Sequence, residues 1–210
     1  MSVLTSISEY VDTFLDTVST LTHDVPIVIF DFTPLPPEYI WFNTEQLTRE
    51  DQLHAALRKA KLPGCVDVWE YSLVNVQILA KHGISAKHMP LKTSAEYRCK
   101  LLSYIQPVYD VGFCGNLSVR RHAILNELSK TCTVCVITAW GDVRDRALAK
   151  CRIVLNIHFA EDYKVFESAR CEPWLAIGVP VVSESSLDDD PRATNVPYSE
   201  LVSTCLHLLK

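Results

Sequence analysis

The sequence predicts an α/β protein made of two small lobes, each a parallel sheet flanked by helices. Three observations carry this. From residue 108 onward, short runs that are apolar throughout alternate with helix-patterned stretches, and strands without a polar face are those covered on both sides. The front half repeats the alternation less regularly. A hydrophobic share of 48% with 21% charged residues over 210 positions is ordinary globular composition, enough for a core in each lobe.

The elements follow in order. In "MSVLTSISEYVDTFLDTVSTL", Leu4, Ile7, Val11, Leu15 and Val18 have the spacing of an amphipathic helix, and Glu9, Asp12 and Asp16 argue against a secretory leader. "VPIVIFDF", "YIWFN", "CVDVWEY" and "AKHMPL" read as strands, with helices at about 45–60 and 72–82 and Gly83 as the stop of the second. The stretch 90–107, with Pro90 and Pro107 at its ends, reads as a connector. The lobes are therefore expected at 1–106, reduced and led by the amphipathic helix, and at 107–210. In the second, "VYDVGFCG", "CTVCVIT", "RIVLNIH" and "VPVVSE" are strands. "SVRRHAILNELSK", "DVRDRALAK", "DYKVFESARCEPWLA" and "YSELVSTCLHLL" are helices, which makes a Rossmann-like lobe. "SLDDDPRATNVP" reads as a polar loop with a solvated aspartate turn.

Bulk properties narrow the function. A net charge of −5 argues against a general nucleic-acid or membrane-surface binder. No apolar run approaches the roughly 20 residues of a membrane span, so a cytoplasmic protein is expected. The eight cysteines fall mostly within apolar segments and read as reduced thiols. Cys132 and Cys135 form a CxxC inside a strand with no second pair, so no metal site is expected.

The candidate residues gather at the carboxyl ends of the second lobe's strands, where α/β sheets bind ligands. In "GFCGNLSVRRHAIL", Gly115, Asn116 and Ser118 lead into a helix whose first turn carries Arg120 and Arg121. A helix start with free N–H groups and arginines suits a diphosphate; the other reading is a helix capped by Ser118 with two exposed arginines. Trp140 and Gly141 end the next strand, where an aromatic ring stacks on a base or simply packs. Asn156 and His158, two apart, are expected to face the crevice together. Glu167 and Arg170 share a helix face and can pair with each other. Pro173 argues against a continuous helix after Glu172, and Glu184 ends the last strand. In the front lobe Asn43, Glu45 and Gln46, and Asp67, Tyr71 and Ser72, line a cleft wall or serve as helix surroundings, with Thr44 or Ser72 as N-caps.

A lobe containing "GFCGNLSVRRHAIL", "RIVLNIH" and "FESARCEPWLAIGVPVVSE" resembles the nucleotide-sugar-binding lobe of GT-B glycosyltransferases of the group 1 type, in particular compact glycosyltransferase-like proteins with "EQL", "D-W-x-Y-S" and "N-I-H" elements. The resemblance covers roughly 40–205 and is most specific over 108–184. It implies a GT-B-like fold and a donor diphosphate held at Gly115, Ser118, Arg120 and Arg121, with ribose and sugar hydroxyls at Glu167 and Glu172. The usual pair of glutamates eight positions apart is absent: Val165 and Pro173 occupy those positions.

The expected function is transfer of a sugar from a nucleotide-sugar donor to a glycan or other hydroxyl acceptor, without metal and with no cofactor beyond the donor. Catalysis is assigned to His158, Glu167 and Glu45. Donor binding is assigned to Gly115, Asn116, Ser118, Arg120, Arg121, Trp140, Gly141, Asn156, Arg170, Glu172 and Glu184. The alternative is a non-catalytic nucleotide-sugar-binding or assembly module derived from such a lobe. A dinucleotide-dependent oxidoreductase is disfavoured because no GxGxxG fingerprint is present.

Overall fold

A computed structural model of the protein describes residues 3–5, 25–29 and 34–210. The chain divides into two units, Met1–Ser94 and Ala95–Lys210.

The first unit is a parallel sheet with strands in sequence order: β1 (Val3–Thr5), β2 (Ile27–Ile29), β3 (Tyr39–Asn43), β4 (Cys65–Glu70) and β5 (Lys87–His88). Helices α1 (Glu50–Lys59) and α2 (Leu73–Lys81) follow β3 and β4. Trp41, Val68, Leu47, Ala56 and Leu79 form a core on one sheet face, while Ile40, Phe42 and Trp69 are buried by the alternating positions. Two expectations are corrected. The leading helix fails at its start, because Val3–Thr5 is a strand in register with β2; Ile7, Val11, Leu15 and Val18 lie outside the described residues. The helix placed at 45–60 begins only at Glu50, and Thr44 does not cap it. The Glu45 carbonyl instead accepts from the side chains of Asn43 and Asn75, which holds the chain in a turn. Gly83 ends α2 as expected, at φ +75°, a conformation that costs an L side chain.

The second unit runs α3 (Ala95–Tyr104), β6 (Tyr109–Cys114), α4 (Val119–Ser129), β7 (Val134–Ile137), α5 (Gly141–Leu148), β8 (Cys151–Asn156), α6 (Ser168–Leu175), β9 (Val181–Glu184) and β10 (Thr194–Val196). A turn of 3-10 helix at Tyr198–Glu200 leads into α7 (Leu201–Leu208). Its five strands are parallel in the order β10-β9-β8-β6-β7. Alternation sorts the core. Val111, Phe113, Ile153, Leu155 and Val182 pack against α4 and α7 through Leu125, Leu128, Leu201 and Cys205. Cys114, Ile137, Val154 and Val181 pack on the other face against Tyr97, Leu101, Leu148 and Trp174. This is the Rossmann-like lobe expected.

Three details differ. The connector 90–107 contains α3, whose Tyr97 and Leu101 are buried in the second core and whose Tyr97 hydroxyl donates to Asp145 at 2.5 Å. The division therefore falls after Ser94 rather than after residue 106. The helix expected over 162–176 is only Ser168–Leu175, and it runs through Pro173. The lost N–H leaves the carbonyl of Ala169, a partly exposed residue that water can reach. The loop "SLDDDPRATNVP" contains the edge strand β10, and its aspartates are engaged: Phe166 N donates to Asp188, Ser186 N to Asp189, and Arg192 pairs with Asp190.

Gly112, in the middle of β6, makes room for a side chain from a neighbouring strand: a Cβ there would lie 2.6 Å from Cys151 Sγ and 3.0 Å from Leu148 Cδ2. Gly112→Ala is expected to lower stability by about 1–3 kcal/mol through overpacking, and Cys151→Ala in the same chain to recover only part of it, because the Cβ of residue 151, 2.9 Å from the added methyl, remains. Denaturant midpoints of the single and double variants measure this.

Candidate functional site

Strand order reverses between β6 and β8, which opens a crevice beyond their carboxyl ends. The turn from β6 into α4 forms one wall. Gly115 adopts φ +141°, and a Cβ there would lie 3.0 Å from the Arg170 guanidinium and 3.4 Å from that of Arg121, so glycine serves both the turn and the approach of two cations. Ser118 is the N-cap of α4; its hydroxyl accepts from Arg121 N at 3.4 Å. Among the described residues, no hydrogen bond engages the backbone N–H of Asn116, Leu117, Ser118, Val119 or Arg120. Asn116 and Leu117 are exposed.

Behind this turn lies a charge cluster. Arg121, only 3% exposed, donates through Nε to the Ile157 carbonyl (2.8 Å), through Nη1 to the Asn116 carbonyl (2.9 Å), and through Nη2 to Glu167 (3.1 Å). Its guanidinium lies 5.3 and 5.4 Å from the ring centroids of Phe113 and Phe159. Burial and the neighbouring Arg170 push its pKa down to about 10, which leaves it charged at neutral pH. Arg170 pairs with the same Glu167 and donates to Asn156 Oδ1 at 2.8 Å; Asn156 donates onward to Ser183. Glu167 thus bridges two cations, more than the simple helical pair its spacing allows.

Arg120 is turned elsewhere. It grips Glu184 in a bidentate pair at 2.7 and 2.8 Å, reaches the His158 carbonyl at 3.1 Å, and stacks over Tyr198 at 4.1 Å. It is neither exposed nor part of the Arg121–Arg170 cluster. Glu184 also accepts from His158 N at 3.0 Å. The His158 ring, nearly buried, places Nε2 3.1 Å from Ser186 Oγ and Nδ1 3.9 Å from Glu184. Burial lowers its pKa despite the opposing pull of Glu184, so the ring is neutral at pH 7. Asn156 and His158 do not act together as expected: β8 ends at Asn156, alternation lapses there, and the two side chains engage different groups.

A pocket of about 390 Å³ lies beside His158, lined by Arg120, Glu161, Lys164, Glu184, Ser186 and Leu187. Trp140 stands at the end of β7 as the N-cap residue of α5, 58% exposed, with Gly141 at φ +60°. Glu172 is carried by α6 away from Glu167 and pairs with Arg192 of the β9–β10 loop. Among the described residues, no group of three or more His, Cys, Asp or Glu is placed to hold a metal ion, and no helix is long and apolar enough to cross a membrane.

Glu45 belongs to the first unit. There the buried polar set centres on Glu70, which accepts from Asn43 (2.6 Å), Asn75 (3.0 Å) and Ser72 N (3.3 Å). Ser72 caps α2, and Asp67 pairs with Lys87 and accepts from Trp69 Nε1, so these residues serve as caps and struts. Sequence reasoning missed Glu70, Asn75 and Ser186. The first two sit among apolar neighbours without periodicity to mark them, and the third was absorbed into the polar loop.

No family model matches the chain, and no solved structure matches it. It is similar to uncharacterized proteins of Acanthamoeba polyphaga mimivirus, among them the following three. Uncharacterized protein L138 is 31% identical over 186 residues, 80% of this chain and 20% of the relative. Uncharacterized protein L140 is 32% identical over 183 residues, 81% of this chain and 59% of the relative. Uncharacterized protein L137 is 34% identical over 158 residues, 72% of this chain and 21% of the relative. The chain thus spans between a fifth and three-fifths of the length of these relatives, and the first two matches extend over both units.

Proposed function

We propose that the second unit binds a nucleotide-sugar and that the protein is a glycosyltransferase of GT-B type, passing the sugar to a hydroxyl acceptor without a metal. One observation carries this: at the sheet's switch point, a glycine-bent turn presents unengaged backbone N–H groups next to the Arg121 and Arg170 guanidiniums. A helix start and fixed cations suit a departing nucleoside diphosphate, whose charge grows as the sugar leaves. Glu167, held between the arginines, would orient them and meet donor hydroxyls. Trp140, exposed at the neighbouring strand end, offers a face to the base.

A second reading, a binding module without turnover, is favoured by one finding: two acids assigned to donor binding are spoken for, Glu172 by Arg192 and Glu184 by Arg120. Calorimetric titration of UDP and GDP in EDTA tests the shared part. Binding is expected, and Arg170→Ala should weaken it by roughly 1.5–3 kcal/mol, the worth of a charge-assisted hydrogen bond. Unchanged affinity in that variant, or no binding by the wild type, would overturn the site. Release of free sugar or product from UDP- and GDP-sugars then separates enzyme from module.

A further inference from the structure

The pocket beside His158 holds a constellation separate from the Arg121–Glu167–Arg170 cluster. Ser186 Oγ lies 3.1 Å from His158 Nε2, and the ring's other nitrogen faces Glu184 at 3.9 Å. All three residues line the pocket of about 390 Å³. We propose that Ser186 and His158 form a nucleophile and base pair that cleaves esters of small carboxylic acids in this pocket.

The geometry supports each role. The Glu184 carboxylate, 3.9 Å from Nδ1 and so acting by charge rather than through a hydrogen bond, biases the proton toward that nitrogen, which leaves the Nε2 lone pair to accept from the Ser186 hydroxyl. Glu184 is a positioning residue and is itself fixed: Arg120 holds both of its oxygens, and His158 N donates to one of them. The ring is neutral, as a base must be. Ser186 is held by its loop rather than left to wander. Its N–H donates to Asp189 at 2.6 Å, the next residue's N–H donates to the Lys164 carbonyl at 2.8 Å, and Phe166 N donates to Asp188 at 2.8 Å. These bonds explain the run of aspartates, which ties the loop around the serine. The hydroxyl's other neighbour, the Glu184 carbonyl, is farther away at 3.4 Å. Lys164 lines the same pocket and brings positive charge to it.

The chemistry balances without a co-reactant other than water. Ser186 Oγ attacks the carbonyl carbon, its proton passes to His158 Nε2, and the C–O bond to the leaving alcohol breaks as that proton is returned to the alcohol oxygen. Water then attacks the acyl-serine, giving a proton to Nε2, and the carboxylic acid leaves as Ser186 regains its hydrogen. The pocket's size suits a short acyl group.

The inference stands apart from nucleotide-sugar binding, since Asn156, Glu167 and Arg170 do not line this pocket. Its test is covalent labelling of the full chain with a fluorophosphonate, in which an Oγ–P bond replaces P–F and fluoride departs. Intact and peptide mass spectrometry should place one adduct on Ser186. Ser186→Ala, at a partly exposed position, should keep the wild-type melting temperature and lose the adduct. His158→Gln should slow labelling, and hydrolysis of p-nitrophenyl acetate, at least tenfold. Ser203→Ala, at an exposed serine of α7, should behave as wild type. An unlabelled wild type at saturating probe, an adduct elsewhere, or labelling indifferent to His158 would overturn the proposal.

Discussion

Raising the pH from 5 to 9 is expected to destabilise the first unit by roughly 4 kcal/mol, and Glu70→Gln to abolish that dependence. Glu70 is fully buried at the end of β4, and burial pushes its carboxyl from 4.5 up to about 8, with the donors Asn43, Asn75 and Ser72 N only partly offsetting the desolvation. At pH values below 4.5 the carboxyl is protonated folded and unfolded, and its contribution is complete. Between 4.5 and 8 the unfolded chain releases the proton while the folded unit keeps it, so stability falls with each pH unit; above 8 the loss levels off. Amide hydrogen exchange in β3 and β4, corrected for intrinsic rates, reads this unit by itself. In Glu70→Gln the new amide NH2 faces the Asn43 donor, which costs about 1–3 kcal/mol at low pH. The variant should therefore be weaker than wild type at pH 5 and level with it, or ahead, at pH 9. A flat wild-type profile would mean that three N–H donors hold Glu70 ionised throughout.

What the sequence made legible follows from what leaves a periodic trace. "VGFCG" and "RIVLNIH" announce buried parallel strands because every position is apolar, and β6 and β8 lie within them. α3 left no such trace: only Tyr97 and Leu101 of its ten residues are buried, and flanking prolines made the stretch read as a connector. β10 was hidden because an edge strand tolerates "TNV" in a polar loop. For the site, the carboxyl-end rule gathered Gly115, Arg121, Asn156, Glu167 and Arg170, and the structure sets them side by side, since topology alone fixes which strand ends are adjacent. Partner choice was not legible. Arg120 and Arg121 are neighbours in sequence, yet a helix turns successive side chains by about 100°, so one faces Glu184 and the other Glu167. Glu172 is separated from Glu167 for the same reason, five residues on and toward Arg192.

That partnership decides the expected outcome for Glu167→Gln, which should cost about 3 kcal/mol of stability in the second unit. The sequence spacing also allowed an exposed helical pair with Arg170, worth about 0.2–0.5 kcal/mol. The structure instead sets Glu167 between Arg170 and an Arg121 that is almost wholly buried, so removing the carboxylate leaves two guanidiniums facing each other without a counter-charge. Glu127→Gln supplies the comparison: Glu127 pairs with Lys130 at the same spacing on an exposed surface, and its loss should change little. The functional content lies in a rescue. If the two arginines and the β6–α4 turn form an anion site, pyrophosphate restores the missing negative charge, and at a hundredfold excess over its dissociation constant it returns about 2.7 kcal/mol. Pyrophosphate should then raise the melting temperature of Glu167→Gln more than that of the wild type, where Glu167 already occupies the cations. Equal shifts in the two proteins, or none in either, would show that Arg121 and Arg170 are there to hold α6 onto the sheet, and the donor site would have to be sought elsewhere.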